Sequence, residues 1–297
     1  YTYIKEGVKM DKEIILSLTG KNSHRAKIMA GQGSFSIGTI GISEGEYDVL
    51  VDAKDKINWE AFDEINVGGV YKWPRFITYS GNDIGFIKWS YKRKIEDFTW
   101  IPQNDFYLDL TKANISTFSL HNQGFNIEIS IGNLYKLNIF GDLNKTAIKE
   151  CLIVPKVTFN LDKTISESNT YQLPIYEQLK NVTDIDIFNK PLNKPFDCRS
   201  LLQFSNLKSL ALVGNVINLN CLENLKKIQF LGLWDVPNLE GIPKLSIWEN
   251  LHKVIGCNIE ESVGKILRSQ LRKLKKEKEM NEFCYVGQLR DKNWYIT

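Results

Sequence analysis

The stretch Leu207-Lys-Ser-Leu210-Ala-Leu212-Val-Gly-Asn215 is the clearest copy of a short phrase with apolar residues at its first, fourth and sixth positions. Alternate side chains of an extended strand point to opposite faces. Leu210 and Leu212 are therefore expected to face one way and the residues between them the other. The phrase predicts a short strand with one buried and one exposed face.

Six further copies have the same spacing, and the first residues of consecutive copies lie 19 to 28 residues apart. They begin at Ile115, Leu134, Val154, Val182, Ile228 and Leu251. A unit that recurs at roughly 20–29 residues stacks on its neighbours, so that all copies share one continuous core. In these features the chain resembles the leucine-rich-repeat family, in an irregular bacterial form. The resemblance implies a solenoid of parallel strands over about 106–258.

The resemblance also implies how each phrase ends. In the family an asparagine at the ninth position bonds to backbone groups at the turn, and Asn215 holds that position here. The ninth residues of the other copies are Gln123, Asp142, Asp162, Lys190, Val236 and Ile259. The last copy departs further from the pattern, because Gly256 stands where the sixth residue should be apolar.

Residues 10–105 have a different pattern. Tyr47-x-Val49-x-Val51 alternates, and Phe76–Tyr79 and Phe86–Tyr91 are rich in residues that favour strands. Between the last two, Ser80-Gly-Asn-Asp83 is a hairpin-type turn signal. These features predict an antiparallel β module that also covers the open edge of the first repeat.

Residues 259–297 are expected to form a C-terminal cap. Apolar residues recur at helical spacing from Glu260 to about Lys278, with acidic residues at the start and lysines near the end, as the helix dipole favours. Phe283–Thr297 predicts a final pair of strands. The complete fold prediction is α+β, mostly β: a leucine-rich-repeat solenoid with an N-terminal antiparallel β module and a C-terminal helical cap. Within the repeats, Phe125–Ile131 alternates and predicts an extended segment that continues the sheet or lines its convex side.

Composition excludes several classes of function. The net charge of +3 over 297 residues is too small to indicate nucleic acid or an anionic membrane. No apolar run approaches the ~18 residues that a membrane-spanning helix needs. The five cysteines include no C-x-x-C pair, which argues against zinc and against a disulfide framework. A cytoplasmic protein is expected.

Three sequence features resemble functional sites, and each has a simpler explanation. Asp184 and Asp186 could share a cation, but hard cations need more oxygen ligands than two carboxylates offer. Gly31-Gln-Gly-Ser34 lacks the G-K-[ST] ending of a phosphate loop. The basic run Arg268–Lys278 lacks the aromatic residues that stack on bases. No nucleophile-elbow phrase is present, so we expect no enzyme, metal or cofactor.

The third, fifth and seventh positions of each phrase are expected to lie on the exposed face of the sheet. Aromatic and charged residues recur there: Phe140, Phe188, Phe230, Trp234, Asp184, Asp186, Lys136 and Lys156. Exposed apolar patches with charged rims mark interaction sites, and aromatic residues dominate binding energy. These eight residues are the predicted partner-binding site. In the alternative reading, the N-terminal module or a loop covers the aromatics and makes them core.

The predicted function is protein–protein recognition through the concave face of the solenoid. The family resemblance suggests a more specific form, an immunity protein that neutralises a cognate bacterial toxin. The alternative is a hydrolase or transferase with its site in the N-terminal β module. The partner is expected to be another protein, with no role for nucleic acid or a membrane.

Overall fold

The structure is a computed structural model that describes residues 48–52, 76–80, 95–161, 169–189, 194–236, 241–278, 285–289 and 292–296. It divides the chain into two compact units. The first comprises residues 1–138 and 145–153, and the second comprises residues 139–144 and 154–297. The predicted division at 105 and 258 stays a prediction.

The first unit contains two parallel sheets. Its strands are β1 (Asp48–Asp52), β2 (Phe76–Ser80), β3 (Ile95–Ile101), β4 (Phe106–Leu110), β5 (Ile115–Asn122), β6 (Ile127–Asn133), β8 (Thr146–Ile153) and the start of β7 (Lys136–Gly141). The main sheet has the order β1-β2-β3-β5-β7, and the smaller sheet has the order β4-β6-β8. Most of the predicted extended segment, from Ile127 to Ile131, therefore lies in a strand of a second sheet.

The core of this unit follows from strand alternation. Phe118 and Leu120 of the main sheet and Ile129 and Ile131 of the smaller sheet have no exposed surface. Phe98 stacks on Phe118 with ring centroids 5.6 Å apart. Each such side chain stabilises the fold by about 1.5–3 kcal/mol through removal from water.

The predicted antiparallel N-terminal module is wrong. β1 pairs with β2 in parallel, and β2 pairs with β3 in parallel, with Phe76 opposite Asp97. Parallel neighbours need a crossover connection of about a dozen residues or more, and the intervals 53–75 and 81–94 between these strands are long enough for one. The prediction rested on the turn signal after β2. The predicted strand at Phe86–Tyr91 lies outside the described residues.

The second unit also consists mainly of parallel strands. Its strands are β9 (Lys156–Asn160), β10 (Asp184–Asn189), β11 (Phe196–Asp197), β12 (Ser209–Gly214), β13 (Val216–Ile217), β14 (Phe230–Trp234), β15 (Lys253–Cys257), β16 (Tyr285–Leu289) and β17 (Lys292–Ile296). The main order is β9-β10-β12-β14-β15-β16-β17, and β11 pairs with β13 in a sheet of two strands. Only the β16–β17 pair is antiparallel among the described strand pairs of this unit.

Short 3₁₀ helices return the chain between these strands. They span Glu177–Leu179, Cys198–Gln203, Leu219–Asn224 and Leu245–Ile247. The one described α-helix, α1 (Glu261–Lys278), buries Val263, Leu267 and Leu271. The predicted helix and final strand pair are confirmed. The described part of the chain is thus mostly parallel sheet in an α/β-like arrangement with one C-terminal helix, so the predicted α+β class is wrong.

The register of the strands confirms the inward and outward positions of the phrase. Ile185, Leu210 and Leu231 lie side by side on β10, β12 and β14, and all three are fully buried. Along each strand, the residues that alternate with these buried positions lie on the other face. This regular placement follows from the period of two in each strand.

The asparagine that binds backbone groups at the turn was expected at the ninth position of the phrase, but it lies at the eighth. The eighth residue performs this role in two copies, where Asn122 and Asn189 are buried. Asn189 donates from Nδ2 to the carbonyl of Asn215 at 2.6 Å, so Asn215 contributes its backbone at this turn. In four other copies the eighth residue has a positive φ: Gly141, Gly214, Asp235 and Asn258. Glycine and short polar residues tolerate this conformation best.

Candidate partner-binding face

The third, fifth and seventh residues of the phrases on β9, β10, β12, β14 and β15 form one side of the main sheet in the second unit, here called the outer face. Its rows are fixed by the strand register. They run Lys156–Asp184–Ser209–Phe230–Lys253, Thr158–Asp186–Ala211–Gly232–Ile255 and Asn160–Phe188–Val213–Trp234–Cys257. The predicted residues of these strands therefore lie on one continuous surface.

The aromatic residues of this face remain accessible. Phe188 is 39% exposed, and Phe230 and Trp234 are partly exposed. Phe140, at the second-unit end of β7, is partly exposed as well. None of the four is part of the buried core among the described side chains, which favours the binding interpretation over the core interpretation.

Trp234 leans back along its own strand over Gly232. A Cβ placed on Gly232 would lie 2.1 Å from Cζ3 and 2.2 Å from Cη2 of the indole, which is far inside van der Waals contact. Gly232 is flanked in register by Ala211 and Ile255. The missing Cβ thus creates the place where the six-membered ring rests. The sequence prediction did not recognise this role of Gly232, although a glycine inside a strand often marks such a close approach.

Replacing Gly232 by Ala is expected to displace the indole of Trp234 outward. The ring can move because it is partly exposed, so the free energy of unfolding should change by less than about 1 kcal/mol. The Nε1–H resonance of Trp234 in NMR spectra should shift strongly. The matched control for the change in stability is the same substitution in a Trp234→Ala background, where no ring is displaced. A Trp234 resonance that stays in place in the single variant would contradict this packing.

The charged residues of the outer face are partly paired. Lys156 Nζ lies 3.5 Å from Asp186 Oδ2, and Thr158 Oγ1 donates to the same oxygen at 3.4 Å. Asp184 accepts a hydrogen bond from Thr183 Oγ1 at 2.6 Å. Such surface contacts contribute little to stability, so these charges are available to orient a partner.

Phe230 has a cation beside its ring. Lys253 Nζ lies 5.8 Å from the ring centroid, within the range of a cation–π interaction. This contact joins β15 to β14 at the start of both strands. Lys253 is therefore held by the protein itself, at the end of the face away from the two aspartates.

Lys136, the remaining predicted residue, belongs to the first unit. It opens β7 and is partly exposed. Its inclusion in the site stays a prediction.

The cysteine, histidine and acidic side chains of the described residues are the groups that could take part in chemistry. They contain no group of three or more His, Cys, Asp or Glu side chains arranged to hold a metal ion. Burial raises the pKa of the Cys151 and Cys221 thiols to about 11, and the thiolate is the reactive form. Gly31-Gln-Gly-Ser34 and most of the N-terminal module, where the alternative enzyme site is predicted, lie outside the described residues.

The basic run on α1 has an ordinary setting. Arg272 and Lys273 are exposed, while Leu271 and Leu274 are buried on the opposite face of the helix. This is the arrangement of an amphipathic surface helix. Among the described helices, none is long and apolar enough to cross a lipid bilayer.

Comparison of the chain with protein-family models, with curated proteins and with solved structures found no match.

Proposed function

We propose that the outer face of the second unit binds another protein. One observation carries this proposal: Phe188, Phe230 and Trp234 share a sheet face with Asp184 and Asp186, and all five remain at least partly exposed. The fully buried residues of these strands, such as Ile185, Leu210 and Leu231, lie on the other face. Aromatic side chains that are covered by a partner contribute most to binding, and charges at the rim set orientation and association rate.

The size of the effect supports this choice of site. A buried aromatic side chain removes about 150–250 Å² from water. At about 25 cal/mol per Å², completing the burial of even half that area for two aromatics is worth several kcal/mol. To gain this binding energy, a partner must present a protruding apolar side chain that is surrounded by polar groups.

We also propose membership of the leucine-rich-repeat family and a cytoplasmic location. The recurring phrase and the parallel register of its strands support the first of these. Within that family, the specific role we propose is that of an immunity protein that neutralises a bacterial toxin. A toxin gene beside the gene for this chain would support that role. The role would be contradicted if no genome that encodes this chain has a toxin gene next to it.

Replacing Trp234 by Ala tests the site. With a partner captured from the source organism, we expect Kd to rise roughly 30-fold, equivalent to about 2 kcal/mol. Titration calorimetry measures the change, and circular dichroism should show a nearly unchanged melting transition. Tyr135→Ala is the matched control, because Tyr135 is an exposed aromatic residue (67%) of the first unit. An equal loss for both variants, or unfolding of the Trp234 variant, would contradict the assignment.

A further inference from the structure

The two aspartates of the outer face indicate what the partner must bring. We propose, building on the proposed function, that the partner presents a basic side chain to Asp184 and Asp186 and an apolar side chain to Val213 and Trp234. The partner would thus be a protein segment in which arginine or lysine stands close to an apolar residue.

The charge distribution favours a cation at this position. Asp184 and Asp186 lie two residues apart on one strand, so they are separated by roughly 7 Å along it. Among the described side chains only Lys156 pairs with them, and it contacts Asp186 at 3.5 Å. The pair of carboxylates therefore keeps about one uncompensated negative charge. An arginine can bind two carboxylate oxygens at once, which makes it the best-matched group.

The shape of the surface next to the aspartates fits this arrangement. β12 separates β10 from β14 and carries only Ser209 and Ala211 opposite the acidic pair. Beyond it, the indole of Trp234 rests over Gly232 of β14. Neighbouring strands lie about 4.8 Å apart, so the aspartates and Trp234 are roughly 10 Å from each other across a low strip. An extended segment with an apolar residue two positions after a long basic residue covers about 7 Å of that distance along its backbone, and the long basic side chain reaches the rest.

An acidic partner fits less well. The lysine on β9 already pairs with Asp186, and the lysine on β15 lies beside the ring of Phe230. The carboxylates stand between them, where they would repel an acidic peptide or a nucleic acid. Charge complementarity thus selects a basic protein segment.

Selection from a displayed library of random peptides on the intact chain tests the inference. We expect enrichment of peptides with arginine or lysine near an apolar residue. In fluorescence anisotropy, the paired substitution Asp184→Asn and Asp186→Asn should weaken their binding roughly tenfold. Peptides with the basic residues replaced by glutamate should bind only to the Asp184→Lys, Asp186→Lys variant. The matched control is Glu128→Gln with Glu150→Gln, two exposed carboxylates of the first unit.

The outcomes separate this inference from the proposed function. Enriched peptides that are acidic or uncharged, and that depend on Trp234 but not on the aspartates, would overturn the inference and leave the face as a binding site. Peptides that depend on neither would contradict both. Failure to enrich any peptide would also contradict the inference. Binding of the native partner that depends on Trp234 would still support the outer face as a binding site.

Discussion

Replacing Asp197 by Ala should lower the free energy of unfolding by about 3 kcal/mol, because its carboxylate is fully buried and many donors converge on it. It accepts from the backbone N–H of Arg199 at 3.0 Å, which caps the 3₁₀ helix Cys198–Gln203. The guanidinium of Arg199 donates to it at 2.5 and 2.9 Å, and Asn218 Nδ2 donates at 3.0 Å. The substitution removes the acceptor for all of them.

The same carboxylate should make stability depend on pH. Burial acts to raise the pKa of Asp197, but hydrogen bonds from Arg199 and Asn218 outweigh it and hold the pKa below the ordinary value of 3.8. The folded state therefore favours the ionised form. Its contribution is fully present above pH 3.8 and is lost as the pH falls through the lowered folded pKa.

Chemical denaturation at several pH values measures both effects. Asp197→Asn keeps an acceptor without the charge, so it should cost less than Asp197→Ala and should flatten the acid end of the stability profile. Glu150→Ala, at an exposed position of β8, should change stability by no more than about 0.5 kcal/mol. An Asp197→Ala protein as stable as the parent would show that these hydrogen bonds make no net contribution to the free energy of unfolding.

Replacing Asn122 by Ala should also destabilise the protein by about 3 kcal/mol, since it leaves several partly buried backbone groups and the buried Thr146 hydroxyl without this partner. Asn122 Nδ2 donates to the carbonyl of Phe125 at 2.8 Å and to Thr146 Oγ1 at 3.0 Å. Its Oδ1 accepts from the backbone N–H groups of Gly124 and Phe125. One side chain thus closes the turn after β5 and joins it to β8.

Urea unfolding monitored by circular dichroism tests this prediction. Asn133→Ala is the matched control, because Asn133 is exposed at the end of β6 and should tolerate the change within about 0.5 kcal/mol. If both asparagine variants unfold at the same urea concentration as the parent, the buried network around Asn122 has no net stabilising effect.

Strand positions could be predicted from the sequence because the apolar period of two is visible without any tertiary contact. The phrase around Leu210 gives the right strand, the right inward residues and the right neighbours. The direction of pairing was harder to predict. The alternation in Phe76–Tyr79 is the same whether the neighbouring strand runs parallel or antiparallel. The antiparallel prediction therefore depended on the turn signal at Ser80–Asp83, and that signal was misleading.

The candidate site was predictable in part, for a related reason. Alternation alone placed Asp184, Asp186 and Phe188 on the outer face. The resting place of Trp234 over Gly232 depends on a contact between side chain and backbone, which a pattern of apolar positions does not encode. The shift of the closing asparagine from the ninth to the eighth position has the same origin, because burial of Asn122 and Asn189 follows from how consecutive turns stack.

Site-specific photocrosslinking in the source organism tests the proposed binding face most directly. A benzoylphenylalanine in place of Phe188 places the reactive group on the outer face, and one in place of Tyr135 places it on the first unit. We predict a covalent adduct with one discrete protein from position 188 and none from position 135. An adduct from position 135 alone, or no adduct from position 188 in a folded protein, would contradict a partner-binding role for the outer face.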